Sequence, residues 1–275
     1  MGLNESQLKF FADYIEKELG IVYSPMNYFQ LEQRIEKIAT YLNLKSTEEV
    51  FDKAYKEGIF GDFKQYILNI STNNETSFFR DIRVYNMIEK SILPQMMKMT
   101  PRPVNYRIWC AASSFGQEPY SVAMLANEFA KANPGTPRIE IVGTDIADHA
   151  LARCNEAKYT NLEISRGLSP QRVSTHFIKE SEDAYQLRPD VKNLAQFRKL
   201  NLLEPYIGMG MYHLILCRYV LIYQDQERKK SIIQRLERCL IPGGYLILGA
   251  SESALGVSDN LVQVSIDGAI AYQRK

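Results

Sequence analysis

No apolar run in this 275-residue chain approaches the roughly 18 residues that a helix needs to cross a bilayer. A spanning helix, and with it direct membrane insertion, is not expected. The N-terminus also lacks a basic segment followed by an apolar one, the mark of a secretory leader. Cysteine is scarce: Cys110, Cys154, Cys217 and Cys239 stand far apart, without the paired spacing of metal ligands. They read as small apolar residues of a reduced, cytoplasmic protein. The three histidines, His149, His176 and His213, show no ligand spacing either, so structural or surface roles are expected and no metal. Excess charge of one sign is missing, with a formal net charge of +1, so a global pull on nucleic acid is not indicated. The three-glycine fingerprint of dinucleotide binding is absent as well.

What remains is ordinary for a globular protein, 45% apolar and 24% charged, long enough for one large or two ordinary domains. The most informative stretch runs from Arg107 to Ser121. Arg107 to Ala112 is short, apolar and β-prone, Ser113 to Gly116 is turn-prone, and Pro119 suits the first turn of a helix. Val122, Ala123, Leu125, Ala126 and Phe129 then recur at helical spacing. A strand that feeds a helix through a glycine turn offers free backbone NH groups to a ligand. Gly116 could let a ligand approach the backbone, or the stretch could be a plain β-α junction.

Residues 1–70 read as a helical unit. Leu8, Phe11, Ile15 and Leu19 form one stripe stopped by Gly20, and Tyr28, Leu31, Ile35, Ile38 and Leu42 form a second. Ser46 with Glu49 fits a capping box, and Phe63, Tyr66, Ile67 and Ile70 make a last stripe. Arg34 and Lys37 lie off the second stripe, one turn apart, as on a solvated face. Residues 71–104 form a connector. It begins polar, closes on two aromatics and Arg80, and continues in a helix whose end Pro94 disrupts.

From residue 105 the pattern becomes β-α-β-α, which implies a parallel sheet with right-handed crossovers. The second strand ends at Asp145, in one crevice with Gly116, where its carboxylate suits a ribose diol or a helix cap. Residues of about 176–200 suit a small antiparallel insertion. Tyr212 to Cys217 and Tyr245 to Gly249 are further buried strands, and Asp267-Gly268 sits between two apolar runs as a hairpin turn. A parallel sheet closed by an antiparallel hairpin resembles the class I S-adenosylmethionine-dependent methyltransferase fold, a Rossmann-like α/β architecture.

Five segments carry a sharper resemblance: Thr72-Asn-Asn-Glu-Thr-Ser-Phe-Phe-Arg-Asp81, Arg107 to Ser121, Asn201-Leu-Leu-Glu204, Cys217-Arg-Tyr-Val-Leu-Ile-Tyr223 and Leu240-Ile-Pro-Gly-Gly-Tyr-Leu-Ile-Leu-Gly-Ala-Ser-Glu252. In this order they resemble the successive motifs of the chemotaxis receptor methyltransferases (CheR). The resemblance implies S-adenosyl-L-methionine-dependent methylation of glutamates on the cytoplasmic helical region of chemoreceptors, with S-adenosyl-L-homocysteine as product. It implies cofactor contacts for Asn74, Thr76 and Arg80 from the connector, for Gly116 and Glu118, for Asp145 on the ribose, for Asn201 and Leu202 by the adenine, and for Arg218 and Tyr219. The family usually has Asn after that arginine, so Tyr219 is expected to contribute its backbone. Arg80 and Tyr223 match the pair beside the transferred methyl group. Arg34 matches the leading arginine of the family's basic docking helix and Lys37 a second basic position, while Ile38 and Thr40 replace arginines. The loop from Ile178 to Tyr185 lacks the glycine of members that hold a receptor C-terminal pentapeptide, so independence from such a tether is expected. The chain is expected to act as a monomer. A regulatory module that binds cofactor without catalysis is the alternative. A nucleic-acid enzyme is disfavoured by the neutral charge and the lack of an Asn-Pro-Pro-Tyr motif.

Overall fold

A computed structural model describes residues 2–275. Helices α1 (Glu5–Leu19), α2 (Tyr28–Tyr41), α3 (Thr47–Glu57) and α4 (Gly61–Ser71) form the N-terminal helical unit. All four stripe residues of α1 are buried, and Gly20 ends the helix in the left-handed region at φ 71°. In the expected capping box, Ser46 accepts from Glu49 N at 3.3 Å, but the Glu49 carboxylate turns to Lys45 N at 2.8 Å. The core of this unit, with Phe11, Leu31, Ile35, Val50 and Ile67, also receives Ile146, the residue after Asp145. The helical unit is thereby seated on a strand end of the sheet.

The connector helix runs through α5 (Ile82–Met87), a π-helical turn (Ile88–Ile92) and α6 (Leu93–Met97). Pro94 does not stop the helix as expected. Without an NH, and with its ring crowding the carbonyl four residues back, it follows a locally widened turn.

The remaining chain, in order, is β1 (Asn105–Ala111), α7 (Gln117–Ala132), β2 (Arg138–Asp145), α8 (Asp148–Glu156), β3 (Lys158–Tyr159), α9 (Asn161–Ser165), α10 (Pro170–His176), β4 (Phe177–Ser181), β5 (Ala184–Leu187), α11 (Pro189–Lys192), β6 (Ala195–Lys199), β7 (Tyr212–Cys217), α12 (Gln226–Arg238), β8 (Leu240–Leu248), β9 (Leu261–Ile266) and β10 (Ala269–Arg274). The main sheet has the order β6-β2-β1-β7-β8-β10-β9. It is parallel except at β10, which runs antiparallel to both β8 and β9. Asp267 and Gly268 both have positive φ, as a two-residue hairpin of the primed type requires.

Strand alternation sorts side chains between two layers. Ile108 and Cys110 of β1 face the layer built by α7 and the connector helix, while Trp109 and Ala111 face the layer that includes Ile232, Ile233 and Leu236 of α12. The small antiparallel sheet has the order β3-β5-β4 and differs from the expected insertion of residues 176–200. Ala195–Lys199 pairs in parallel with β2 as the edge of the main sheet. Phe197 explains this: it packs against Gly143 and its ring centroid lies 5.4 Å from that of Tyr120, so this strand has a side chain to bury under α7. Tyr159 brings β3 to the small sheet by packing on Phe78 and Phe177.

Candidate active site

In an open parallel sheet, ligands bind beyond the C-terminal strand ends where the strand order reverses. Here that point lies between β1 and β7, and the cavity over it is lined by the segments that follow β1, β2, β6 and β7. The turn after β1 holds Ala112 and Ser114 at positive φ, which aims Ser114 N at Asp145 Oδ2, 2.8 Å away. Asp145 Oδ1 accepts from Ala147 N at 3.0 Å, at the start of α8. The carboxylate therefore serves the helix start and faces the cavity at once. Burial pushes its carboxyl upward, and the backbone NH groups oppose that. Each oxygen keeps acceptor capacity for a ligand hydroxyl.

The second wall element is Arg218, buried directly after β7. Its Nη1 meets Glu118 Oε2 at 2.9 Å, and its Nη2 meets Asp81 Oδ2 at 2.6 Å and the Arg80 carbonyl at 2.9 Å. Burial works against the Arg218 charge, but Glu118 and Asp81 hold it on, with the Tyr85 ring stacked near. Burial also pushes the Glu118 carboxyl upward, against the pull of Arg218. Arg218 Nε is buried and has no hydrogen-bond partner among the described residues.

The opposite wall comes from the helical unit and the start of the connector. Leu19, Ile21, Thr72, Asn73 and Asn74 line it. The carbonyls at the C-terminal end of α1 lack partners within the helix. Asn201 Nδ2 donates to the Glu18 carbonyl and Gln224 Nε2 to the Leu19 carbonyl, both at 2.9 Å. Arg228 adds an ion pair to Glu16 at 2.9 Å. Asn74 is held by Thr72 Oγ1 at 3.3 Å and His149 Nε2 at 3.1 Å. Tyr223 lines the same cavity, and its hydroxyl accepts from Asn73 Nδ2 at 2.8 Å.

Of the residues expected at the site, Asn74, Asp145, Leu202, Arg218, Tyr219 and Tyr223 line the cavity, as does Asn201. The Asn201 amide is already committed, because its Oδ1 accepts from Leu203 N at 2.9 Å while its Nδ2 holds α1. Thr76, Arg80, Gly116 and Glu118 do not line it. Arg80 lies next to the cavity on the Tyr219 ring, 4.1 Å from its centroid. Glu118 pairs with Arg218, which does line the cavity. Gly116, at φ 92°, is needed for packing, because a Cβ there would meet the Tyr159 hydroxyl at 2.9 Å and Cys154 Sγ at 3.2 Å. The two basic residues of α2 divide: Lys37 is exposed, whereas Arg34 bonds to the Ser71 carbonyl and sits 5.7 Å from the Tyr23 ring. Arg34 lines a smaller cavity that shares Ile21, Asn73 and Tyr223 with the main one.

Three contributors escaped the sequence reading. Glu252 accepts from the backbone of Tyr219, Leu221 and Ile222 and from Gly249, at 2.7–3.1 Å, and so shapes the loop that carries Arg218 to Tyr223. Gln224, next to Tyr223, clasps α1. His149, expected in a structural or surface role, takes a structural one at the cavity edge by holding Asn74. Its position in the first turn of α8, four residues beyond Asp145, is the available signal. Among the described residues no cluster of His, Cys, Asp and Glu suited to a metal is found.

The family model described as "CheR methyltransferase, SAM binding domain" matches residues 74–270. The chain belongs to the CheR methyltransferase family. It is 33% identical to "Chemotaxis protein methyltransferase Cher2" of Pseudomonas putida, over 96% of both chains. It is 32% identical to "Chemotaxis protein methyltransferase 1" of Pseudomonas aeruginosa over the full length of both, and 34% identical to "Chemotaxis protein methyltransferase" of Vibrio parahaemolyticus, over 99% of this chain and 98% of that one. It is an S-adenosylmethionine-dependent methyltransferase of class I fold. The cavity of this CheR enzyme fits that cofactor chemically: Asp145 offers spare acceptors, Arg218 an unpartnered buried donor, and Leu19, Ile21, Ile146 and Leu202 apolar surface. Among the described residues no helix is long and apolar enough to cross a membrane.

Proposed function

We propose that this enzyme methylates glutamate side chains on the cytoplasmic helical region of chemoreceptors. When bound, S-adenosylmethionine supplies an already activated methyl group and leaves as S-adenosylhomocysteine once a glutamate oxygen has taken it. The observation that carries the reading is a phenol in the cavity wall, Tyr223, and a guanidinium next to the cavity, Arg80, stacked on the lining residue Tyr219. Among the described residues the cavity wall holds one carboxylate, Asp145, and two NH groups already engage it. A general base is therefore not supplied there. A glutamate, with a reference pKa of about 4.3, needs none at neutral pH, since it arrives ionised.

The residues of the chain then orient rather than activate. Asp145 takes the ribose hydroxyls, Leu202 packs by the adenine with Asn201 holding the loop, and Asn74 and Arg218 close on the cofactor from both sides. Arg80 attracts the incoming carboxylate and Tyr223 orients it through its hydroxyl, so that approach is in line. Esterification removes one negative charge per glutamate, which biases helix packing in the receptor. Arg34 and Lys37 steer the acidic receptor helices, and with Ile38 in the core and Thr40 uncharged that steering is modest. The β4–β5 hairpin is closed by Glu182 and Asp183, with Asp183 tied to Asn161 N at 2.9 Å, and we assign it no pentapeptide tether. Micromolar binding of such a peptide would overturn that assignment.

Transfer of labelled methyl groups to chemoreceptor fragments tests the roles. Arg80→Ala and Tyr223→Phe should each slow single-turnover transfer by roughly 10- to 1,000-fold. Arg34→Glu should lower receptor methylation severalfold at low salt. Wild-type rates for any of the three would remove the corresponding role. Cofactor binding without any transfer would favour a regulatory module instead.

A further inference from the structure

Tyr219 stands where only backbone was expected to matter, and its side chain is fully engaged. It occupies the left-handed region at φ 58°, unusual for an aromatic residue. Glu252 fixes its NH at 2.9 Å, and Gly249 makes room, because a Cβ there would come within 2.9 Å of that nitrogen. The Tyr219 hydroxyl bonds to Asp81 Oδ2, the same oxygen that Arg218 holds at 2.6 Å. The face of the ring receives the Arg80 guanidinium at 4.1 Å, and the Arg218 guanidinium lies 5.3 Å from the same centroid.

Arg80 has few other restraints. Its side chain donates to the Glu75 carbonyl at 2.9 Å and lies 3.9 Å from the exposed Glu75 carboxylate. Its backbone sits between Phe79 at φ 51° and Asp81 at φ 62°, two non-glycine residues in the left-handed region. Phe79 N donates to Ser121 Oγ at 3.0 Å, and the Arg80 carbonyl accepts from Arg218. The backbone of Arg80 is thus fixed, while its guanidinium depends on the ring beneath it.

We propose that the Tyr219 ring is the platform that positions the Arg80 guanidinium beside the cavity. Tyr219 is a positioning residue and works through Arg80. An asparagine at this place supplies the left-handed backbone but no face for a cation to rest on. A cation over a ring is worth enough to hold one rotamer of a half-exposed arginine against solvent. The hydroxyl, tied to Asp81, keeps the ring from turning away. The inference rests on the role given to Arg80 in the proposed function.

A double-mutant cycle tests it, with single-turnover methyl transfer and calorimetric S-adenosylhomocysteine affinity as readouts. Tyr219→Asn, which the left-handed backbone tolerates, should slow transfer about tenfold. Tyr219→Phe keeps the ring and should stay within about threefold of wild type. Cofactor affinity should change far less than transfer rate in both. In the Arg80→Ala background, Tyr219→Asn should cost nothing further. The NMR signal of the Arg80 Nε–H should show the ring-current shift of a stacked cation in wild type and Tyr219→Phe, and lose it in Tyr219→Asn. An equal tenfold loss with and without Arg80 would overturn the platform and leave the role of Arg80 standing. A wild-type rate for Arg80→Ala would instead remove that role, and the function of the platform with it.

Discussion

The two walls of the cofactor cavity are built on different principles. The sheet wall, Ser114, Asp145 and Arg218, is fixed by short bonds from charged groups to backbone and to each other, at strand ends that the core already places. The helical wall, Leu19, Ile21 and Asn73 to Asn74, is apolar or neutral and is held by side chains that reach across from the sheet unit: Asn201, Gln224 and Arg228 to the end of α1, and His149 to Asn74. The first wall folds with the sheet, and the second exists only while the helical unit is docked. Their difference teaches which substitutions should strike stability and which should strike cofactor capture.

The comparison breaks most directly at Arg218. Arg218→Ala leaves Glu118 and Asp81 without their cation, and an uncompensated buried charge costs about 3–5 kcal/mol. Urea unfolding should show that loss, and a drop below about 1 kcal/mol would contradict the view of the sheet wall as an electrostatic unit. Asp145→Ala comes next. It removes two charge-assisted bonds and the proposed ribose acceptor, and calorimetry should report roughly 10- to 100-fold weaker cofactor binding. Gln224→Ala touches only the helical wall. It should cost about 1 kcal/mol of docking, seen as faster amide exchange around residues 15–21 with the sheet strands unchanged.

The smallest effect concerns pH. Burial first, then Arg153, pull His149 below its ordinary value of 6.5. The folded protein thus takes up this proton less readily than the unfolded chain. The stability contribution is complete above 6.5 and declines as pH falls below it. Protonation would also cost Asn74 its acceptor. Cofactor affinity should therefore weaken on acidification from neutral towards pH 5, and His149→Gln should flatten that dependence. Glu128 follows the same direction at much lower pH. Although burial pushes its carboxyl up, His176 and Arg172 outweigh that and pull it down to about 2, so its contribution is lost only as pH falls from the ordinary carboxylate range towards that value.

The sheet wall was the more legible of the two in the sequence. Asp145 closes an apolar run and Arg218 follows another, so strand ends and polar residues coincide within a residue. Beyond Asn74, the docking of the helical wall was not legible, because its bonds link residues about 180–205 positions apart, Glu18 to Asn201 and Leu19 to Gln224. Nothing in local periodicity encodes such partners. Gly116 shows a different gap. Its turn is legible in the sequence, but the crowding of its Cβ position by Tyr159 and Cys154 is not. The edge strand Ala195–Lys199 was assigned to the wrong sheet because its polar alternation suits either, and only the packing of Phe197 decides between them.

One measurement addresses the central claim most directly: incubation with methyl-labelled S-adenosylmethionine and chemoreceptor cytoplasmic fragments, followed by mass spectrometry of the modified residue. The account predicts a base-labile methyl ester on glutamate side chains of the receptor helices. A label on nitrogen or on nucleic acid, or no label on receptor despite bound cofactor, would contradict it.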